Sequence, residues 1–159
     1  MGLHTFKQPK HQQGMALLEF TLVLPLLLLL LLALGEFGRM LFQYNTLLQA
    51  SRDAGRYVAS QAWNSTLGTV SLSSTLQTQT KNVAVYGVPA NTGTAVVSGL
   101  TTGNVTVTAV GSNHVQVTIN YTFCPVIGGG ACAGSITGLF ANSIALSIPL
   151  VATTVMRVL

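Results

Sequence analysis

Few side chains in this chain are able to do chemistry. The three acids are Glu19, Glu36 and Asp53, the histidines are His4, His11 and His114, and the two cysteines are Cys124 and Cys132. General acid–base, metal and nucleophilic catalysis all draw on clusters of these groups. Here the acids are spread along one apolar, helix-like stretch, and His4 and His11 precede it. His114 opens a strand pattern beside a turn, where a solvated surface histidine is expected. Gly128-Gly129-Gly130 lacks the lysine and the strand–helix setting of a phosphate loop. These residues argue against an enzyme, and neither a metal nor a cofactor is expected.

One of the acids is oddly placed. Glu19 lies near the start of an apolar run that extends to Leu34. Met15 to Gly35 is about 31 Å long as a helix, close to the hydrocarbon thickness of a bilayer. An ionisable group there costs a few kcal/mol on insertion scales, so it points to a function. Pro25 removes one backbone hydrogen bond and should kink or loosen the helix. Lys7 and Lys10 precede the segment and Arg39 is the next basic residue, which puts the N-terminus in the cytoplasm and the C-terminal bulk outside. A secretory signal peptide would have a shorter apolar core and a small-residue cleavage site; Leu34-Gly35-Glu36-Phe37-Gly38 is a poor one.

Gly14, Met15, Glu19 and Phe20 together resemble the processing region of a type IV prepilin. The resemblance implies cleavage after Gly14 by a prepilin peptidase, which leaves Met15 as the new N-terminus and Glu19 as the fifth mature residue. Cleavage would remove Lys7, Lys10 and the polar leader. It would also create an α-ammonium beside the carboxylate. When helices bundle away from water, a neighbour's ammonium can pair with Glu19 and offset the desolvation cost of both charges.

Helical signals continue past the membrane segment. Leu47, Leu48, Ser51, Ala54, Gly55, Val58 and Ala62 recur near the 3.6 period, while Gln49, Arg52 and Arg56 fall on the other side. A continuous helix over 15–62 would span roughly 72 Å. Four strings in order are Gln12-Gln13-Gly14-Met15-Ala16-Leu17-Leu18-Glu19-Phe20, Leu22-Val23-Leu24-Pro25-Leu26, Gly35-Glu36-Phe37-Gly38-Arg39 and Ser51-Arg52-Asp53-Ala54-Gly55-Arg56-Tyr57. Over about residues 12–58 they resemble the TadE-like family, minor pilins or pseudopilins of tight-adherence (Flp-type) pilus systems. The resemblance implies a bacterial inner-membrane protein, single-pass, with a periplasmic C-terminal domain. Its expected partners are a prepilin peptidase, other pilin or pseudopilin subunits, the pilus assembly machinery and the lipid bilayer. The expected outcomes are pilus assembly, with incorporation into a surface pilus as one destination, then surface adhesion, biofilm formation or secretion.

The remainder reads as a small α+β unit, so the chain divides into a leader (1–14), a transmembrane and spine helix (15–62) and an external domain (63–159). Residues 63–70 read as a hinge. Leu72, Leu76, Thr80, Val83 and Ala84 share one face of a helix over about 72–85 that Gly87 and Pro89 end. Residues 91–103 read as loop. Two alternating segments, Val105–Val110 and Val115–Phe123, flank a short turn and predict an antiparallel hairpin. A third strand lies between Ser143 and Val158, with Ile144, Leu146, Ile148, Leu150 and Val155; Pro149 places it at an edge or breaks it. The threonines predict one wet face on a sheet of about three strands. Outside the inner membrane Cys124 and Cys132 should be oxidised, closing a nine-residue loop for about 2.5 kcal/mol. A metal pair is the alternative, although no His, Asp or Glu lies nearby in sequence.

Composition agrees with a membrane protein. Hydrophobic residues make up 49% and charged residues 6%, against roughly 25% charged in soluble domains. The net charge of +4 falls to +2 without the leader, since five Lys and Arg then face three acids. No basic run with interleaved aromatics is present, so no nucleic-acid partner is expected. The reading is a pilin-like precursor. The alternative is an uncleaved single-pass membrane scaffold or binding component of a secretion apparatus.

Overall fold

The computed structural model describes residues 12–126, 135–137, 143–145 and 147–158. Leader residues 1–11, Cys132, Gly128-Gly129-Gly130 and Leu146 lie outside the described residues. In chain order the elements are α1 (Gln12–Ala59), β1 (Trp63–Asn64), β2 (Thr69–Val70), α2 (Ser74–Tyr86), β3 (Val105–Val110), β4 (His114–Phe123), β5 (Ser135–Thr137), β6 (Ser143–Ala145) and β7 (Ile148–Arg157). The fold is α+β, as expected. The chain divides into two compact units, one up to Gly38 and the other from Arg39 onward.

The first unit is helix. α1 is continuous through Pro25, although the proline leaves the Thr21 carbonyl without its usual N–H donor. From Met15 to Leu34 the large apolar side chains are exposed on every side: Met15 at 75%, Leu22 at 74% and even Leu24 at 38%. A helix apolar all round requires lipid or other helices about it.

The second unit takes in the last part of α1. There the apolar pattern becomes one-sided: Leu47, Ala50, Ser51, Ala54, Gly55, Val58 and Ala59 are buried, whereas Gln49, Arg52, Asp53 and Arg56 are exposed. α1 ends at Ala59, and Ser60 and Ala62 close a last turn on the Arg56 and Val58 carbonyls at 3.1 and 2.9 Å. Small residues on the inner face let the helix approach the sheet closely. A Cβ on Gly55 would lie 3.4 Å from Met156 Sδ and 3.5 Å from Thr154 Cγ2. The Ser51 hydroxyl reaches Thr154 Oγ1 at 2.9 Å and the Val117 carbonyl at 3.3 Å, so this buried polar group has partners.

The sheet has the order β3-β4-β7, antiparallel throughout. The hairpin register pairs Val105 with Ile119 and Val110 with His114, as the alternation predicts. Val105, Val107, Val115, Val117 and Ile119 face the core. The other face is wet and carries a Thr118–Thr153 hydroxyl contact at 3.2 Å. β7 is an edge strand, which accommodates Pro149 opposite Thr122. The third-strand region splits in two, because Ser143–Ala145 pairs with β5 instead of β4. In β7 the inward positions are Leu150, Ala152, Thr154 and Met156, with Val155 outward. The register sets this: Ile119, Val117 and Val115 pair with Ala152, Thr154 and Met156.

α2 starts where the Ser73 hydroxyl accepts the Leu76 N–H at 3.2 Å and ends at Gly87, whose φ of 77° closes a bond to the Val83 carbonyl. Leu76, Thr80, Val83, Ala84 and Val85 are buried. Residues 91–101 are loop, ending in a short 3-10 turn over Thr102–Asn104. The expected hinge over 63–70 is instead a tied ribbon. Asn64 Oδ1 accepts the Thr66 and Leu67 N–H groups at 3.0 and 3.1 Å, and Gly68 adopts a φ of 61°. Val70 N–H donates to the Ser112 carbonyl at 3.1 Å, fastening the ribbon to the β3–β4 turn.

The close approach at Gly55 gives a test. Gly55→Ala should keep or slightly raise the melting temperature, since its Cβ makes ordinary contacts. Gly55→Leu should destabilise the unit by about 1–3 kcal/mol through overpacking. Thermal denaturation followed by circular dichroism distinguishes them; equal midpoints would contradict the packing described.

Candidate functional site

The residues singled out in the sequence fall at the head of α1. Ala16, Glu19, Phe20 and Val23 share one face and line a shallow groove there. Met15 and Glu19 are one turn apart on the same side, about 6 Å along the axis. Both are exposed, as are Gly14 and Phe20. Gly14 lies inside the helix, and a Cβ placed on it would meet nothing within 4 Å among the described residues. Gly14 is the third residue of α1, in its first turn, and nothing in the described fold requires glycine at this position. Thr21, one turn beyond Leu17, returns its hydroxyl to the Leu17 and Leu18 carbonyls at 3.1 and 2.9 Å.

A second cluster was not legible in the sequence. Arg39 Nη2 donates to the Cys124 carbonyl at 2.7 Å, and the guanidinium carbon stands 4.6 Å from the centroid of the Phe123 ring. Phe123 is buried. One side chain thus ties the start of the second unit to the end of β4 by a charge-assisted bond and a cation–π contact. Beside it, the Tyr121 hydroxyl donates to the Ser98 carbonyl at 2.9 Å. Burial pushes the Tyr121 phenol above its ordinary value of 10.0, and the positive charge of Arg39 works against that rise. The sequence marks Arg39 only as the first cation after the apolar run. Its hydrogen-bond partner Cys124 lies 85 residues away, with Phe123 next to it, and only the register of β4 brings them there.

Cys132 lies outside the described residues, and so does its pairing with Cys124. Among the described residues, no three His, Cys, Asp or Glu side chains come together.

The described chain has one helix long and apolar enough to cross a membrane, near the N-terminus and unburied, followed by a small α+β unit. That is the make-up of a single-pass membrane protein. Residues 14–56 match the family model described as TadE-like protein. The match bears out the resemblance over that stretch and points to a tight-adherence pilus system. No curated protein and no solved structure matches the chain.

Arg39→Ala should destabilise the second unit by about 2 kcal/mol, the worth of a charged hydrogen bond with a cation–π contact. Arg39→Lys should recover only part of this, since an ammonium lacks the planar fork. Urea titration followed by tryptophan fluorescence measures both, and an unshifted Arg39→Ala midpoint would contradict the role. Tyr121 adds a pH dependence. The unfolded chain releases this phenolic proton near pH 10.0 and the folded chain holds it to higher pH. Stability is therefore full below pH 10.0 and falls as pH rises through the folded value. Tyr121→Phe should cost about 1 kcal/mol at neutral pH and make the alkaline decline shallower; an identical decline would remove Tyr121 as its source.

Proposed function

We propose that this chain is a minor pilin or pseudopilin precursor of a tight-adherence pilus, inserted with its N-terminus in the cytoplasm and cut after Gly14 by a prepilin peptidase. The observation that carries this reading is the spacing of Gly14, Met15 and Glu19 at the head of a helix whose apolar side chains are uncovered all round. The TadE-like match over residues 14–56 supports it. So does Gly14, whose added Cβ would meet nothing within 4 Å among the described residues and whose absent side chain suits recognition by a peptidase.

The role of the chain is structural and not enzymatic. Before cleavage the leader keeps Lys7 and Lys10 on the cytoplasmic side. Cleavage removes them and creates an ammonium at Met15. Within one chain this ammonium and Glu19 stand a turn apart; between chains, an axial stagger of about one turn brings one subunit's ammonium to its neighbour's carboxylate. Away from water such a pair is strongly favoured over either charge alone, because an unpaired buried charge costs several kcal/mol. The pair thus selects a register for bundling helices. The external unit then serves pilus initiation, surface attachment and biofilm formation. Cys124 and Cys132 form a disulfide that closes the loop beyond β4, next to the carbonyl Arg39 holds.

Mass spectrometry of the N-terminus of membrane-extracted protein tests the processing. The expected first residue is Met15. An intact leader would instead favour an uncleaved single-pass scaffold. Glu19→Ala should leave membrane insertion unchanged and lower the amount recovered in sheared surface fibres by tenfold or so, the equivalent of about 1.4 kcal/mol. Normal recovery would remove the assembly role of the carboxylate.

A further inference from the structure

A cleft of 420 Å³ opens in the second unit, between the β1–β2 ribbon and the start of α2. It lies at the end of the sheet marked by the β3–β4 turn, to which the ribbon is fastened through Val70 and Ser112. The Arg39 cluster lies at the opposite end of β4. Its volume is within the usual range for small-molecule sites.

The lining is unusual for its uniformity. Ala62 and Leu76, both buried, form a small apolar floor. Trp63 is among the lining residues and is 43% exposed. The remaining positions are neutral hydrogen-bonding side chains, including Gln61, Ser71, Thr75 and Gln79, and no charged side chain among the described residues lines the cleft. Several of these groups are already positioned by the fold and still have capacity. Gln79 Oε1 accepts from the Tyr57 hydroxyl at 3.1 Å, which fixes the amide and leaves its NH2 to donate. Asn64 Oδ1 is used by the turn, which leaves its NH2 likewise. The Gln61 side chain makes no hydrogen bond among the described residues and is exposed.

The chemistry selects the ligand class. A half-exposed indole offers a flat apolar surface with a polar edge. Around it stand amides and hydroxyls that both donate and accept. A pyranose presents the matching pair of surfaces, a flat C–H face and a rim of hydroxyls. A nucleotide or nucleic acid could stack on the indole, but its phosphates would find no cation in the lining. An anionic sugar meets the same objection. We propose that this cleft binds an uncharged oligosaccharide, with a sugar ring stacked on Trp63 and its hydroxyls held by Gln61, Asn64 and Gln79. The inference goes beyond the assembly reading and is independent of it, since binding requires neither cleavage nor a pilus.

Trp63 is the one tryptophan in the chain, so its fluorescence reports this cleft alone. The full chain is taken in amine-oxide detergent micelles, which carry no sugar headgroup, and titrated with cellotetraose, mannotetraose, chitotetraose and the anionic sialyllactose. The expected result is a saturable change in emission with at least one uncharged tetrasaccharide at roughly millimolar concentration or below, and none with sialyllactose. By calorimetry, Trp63→Ala should abolish that binding. Gln61→Ala, at an exposed position with no hydrogen bond to lose, should weaken it about tenfold without altering the melting temperature. Three results would overturn the proposal: no saturable response to any uncharged sugar, binding of sialyllactose alone, or calorimetric binding unchanged in both variants.

Discussion

Ala50, Ser51, Ala54, Gly55 and Val58 leave a shallow face on α1, across which β4 and β7 lie close. The fold of the second unit depends on this contact. At Gly55 no side chain separates the helix from Thr154 and Met156. At Ser51 one hydroxyl reaches both a strand carbonyl and a strand hydroxyl. Such proximity excludes water from Val115, Val117 and Ile119, which are fully buried. Area removed from water is the main favourable contribution to folding a unit of this size. The polar contact at Ser51 falls where the β4–β7 register sets Thr154 opposite Val117.

The same helix meets two different demands along its length. Between Met15 and Leu34 the sequence is apolar in all directions, and none of these residues is buried among the described ones. Beyond Arg39 the pattern is one-sided, with Arg52, Asp53 and Arg56 on the outer face. The change from a surface suited to lipid or other helices to one suited to a sheet occurs near Gly38 and Arg39, where the two compact units divide. Arg39 fits this position. Its guanidinium is held by a carbonyl and a ring of the second unit and caps the end of β4 with fixed charge.

The parts of the fold with strong local signals were legible in the sequence. The period-two alternation in Val105–Val110 and Val115–Phe123 gave the hairpin, and the 3.6 period gave the buried face of α1 through Ser51, Ala54, Gly55 and Val58. Gly87 ended α2 because its left-handed φ suits only glycine at little cost. The ribbon at 63–70 was missed because Ser, Thr and Gly composition suggests flexibility, while the side chain of Asn64 organises the turn. The facing of β7 is not legible from residue type: Val155 is apolar, yet pairing with β4 turns it outward. At the head of α1, Gly14, Met15, Glu19 and Phe20 lie within two turns of one helix, and their reading as a processing region rests on the prepilin resemblance. Arg39 with Phe123, and the cleft beside Trp63, depend on tertiary contacts that no local pattern encodes.

The central claim is that Glu19 pairs with an ammonium that exists only after processing. Zero-length carbodiimide crosslinking of assembled fibres, followed by peptide mass spectrometry, addresses that contact directly. The account predicts an amide joining the Glu19 carboxylate to the N-terminal residue of another subunit, and its loss when Glu19 is replaced by Gln. Fibres that contain this chain but yield no crosslink from Glu19 to any neighbouring N-terminus would contradict it.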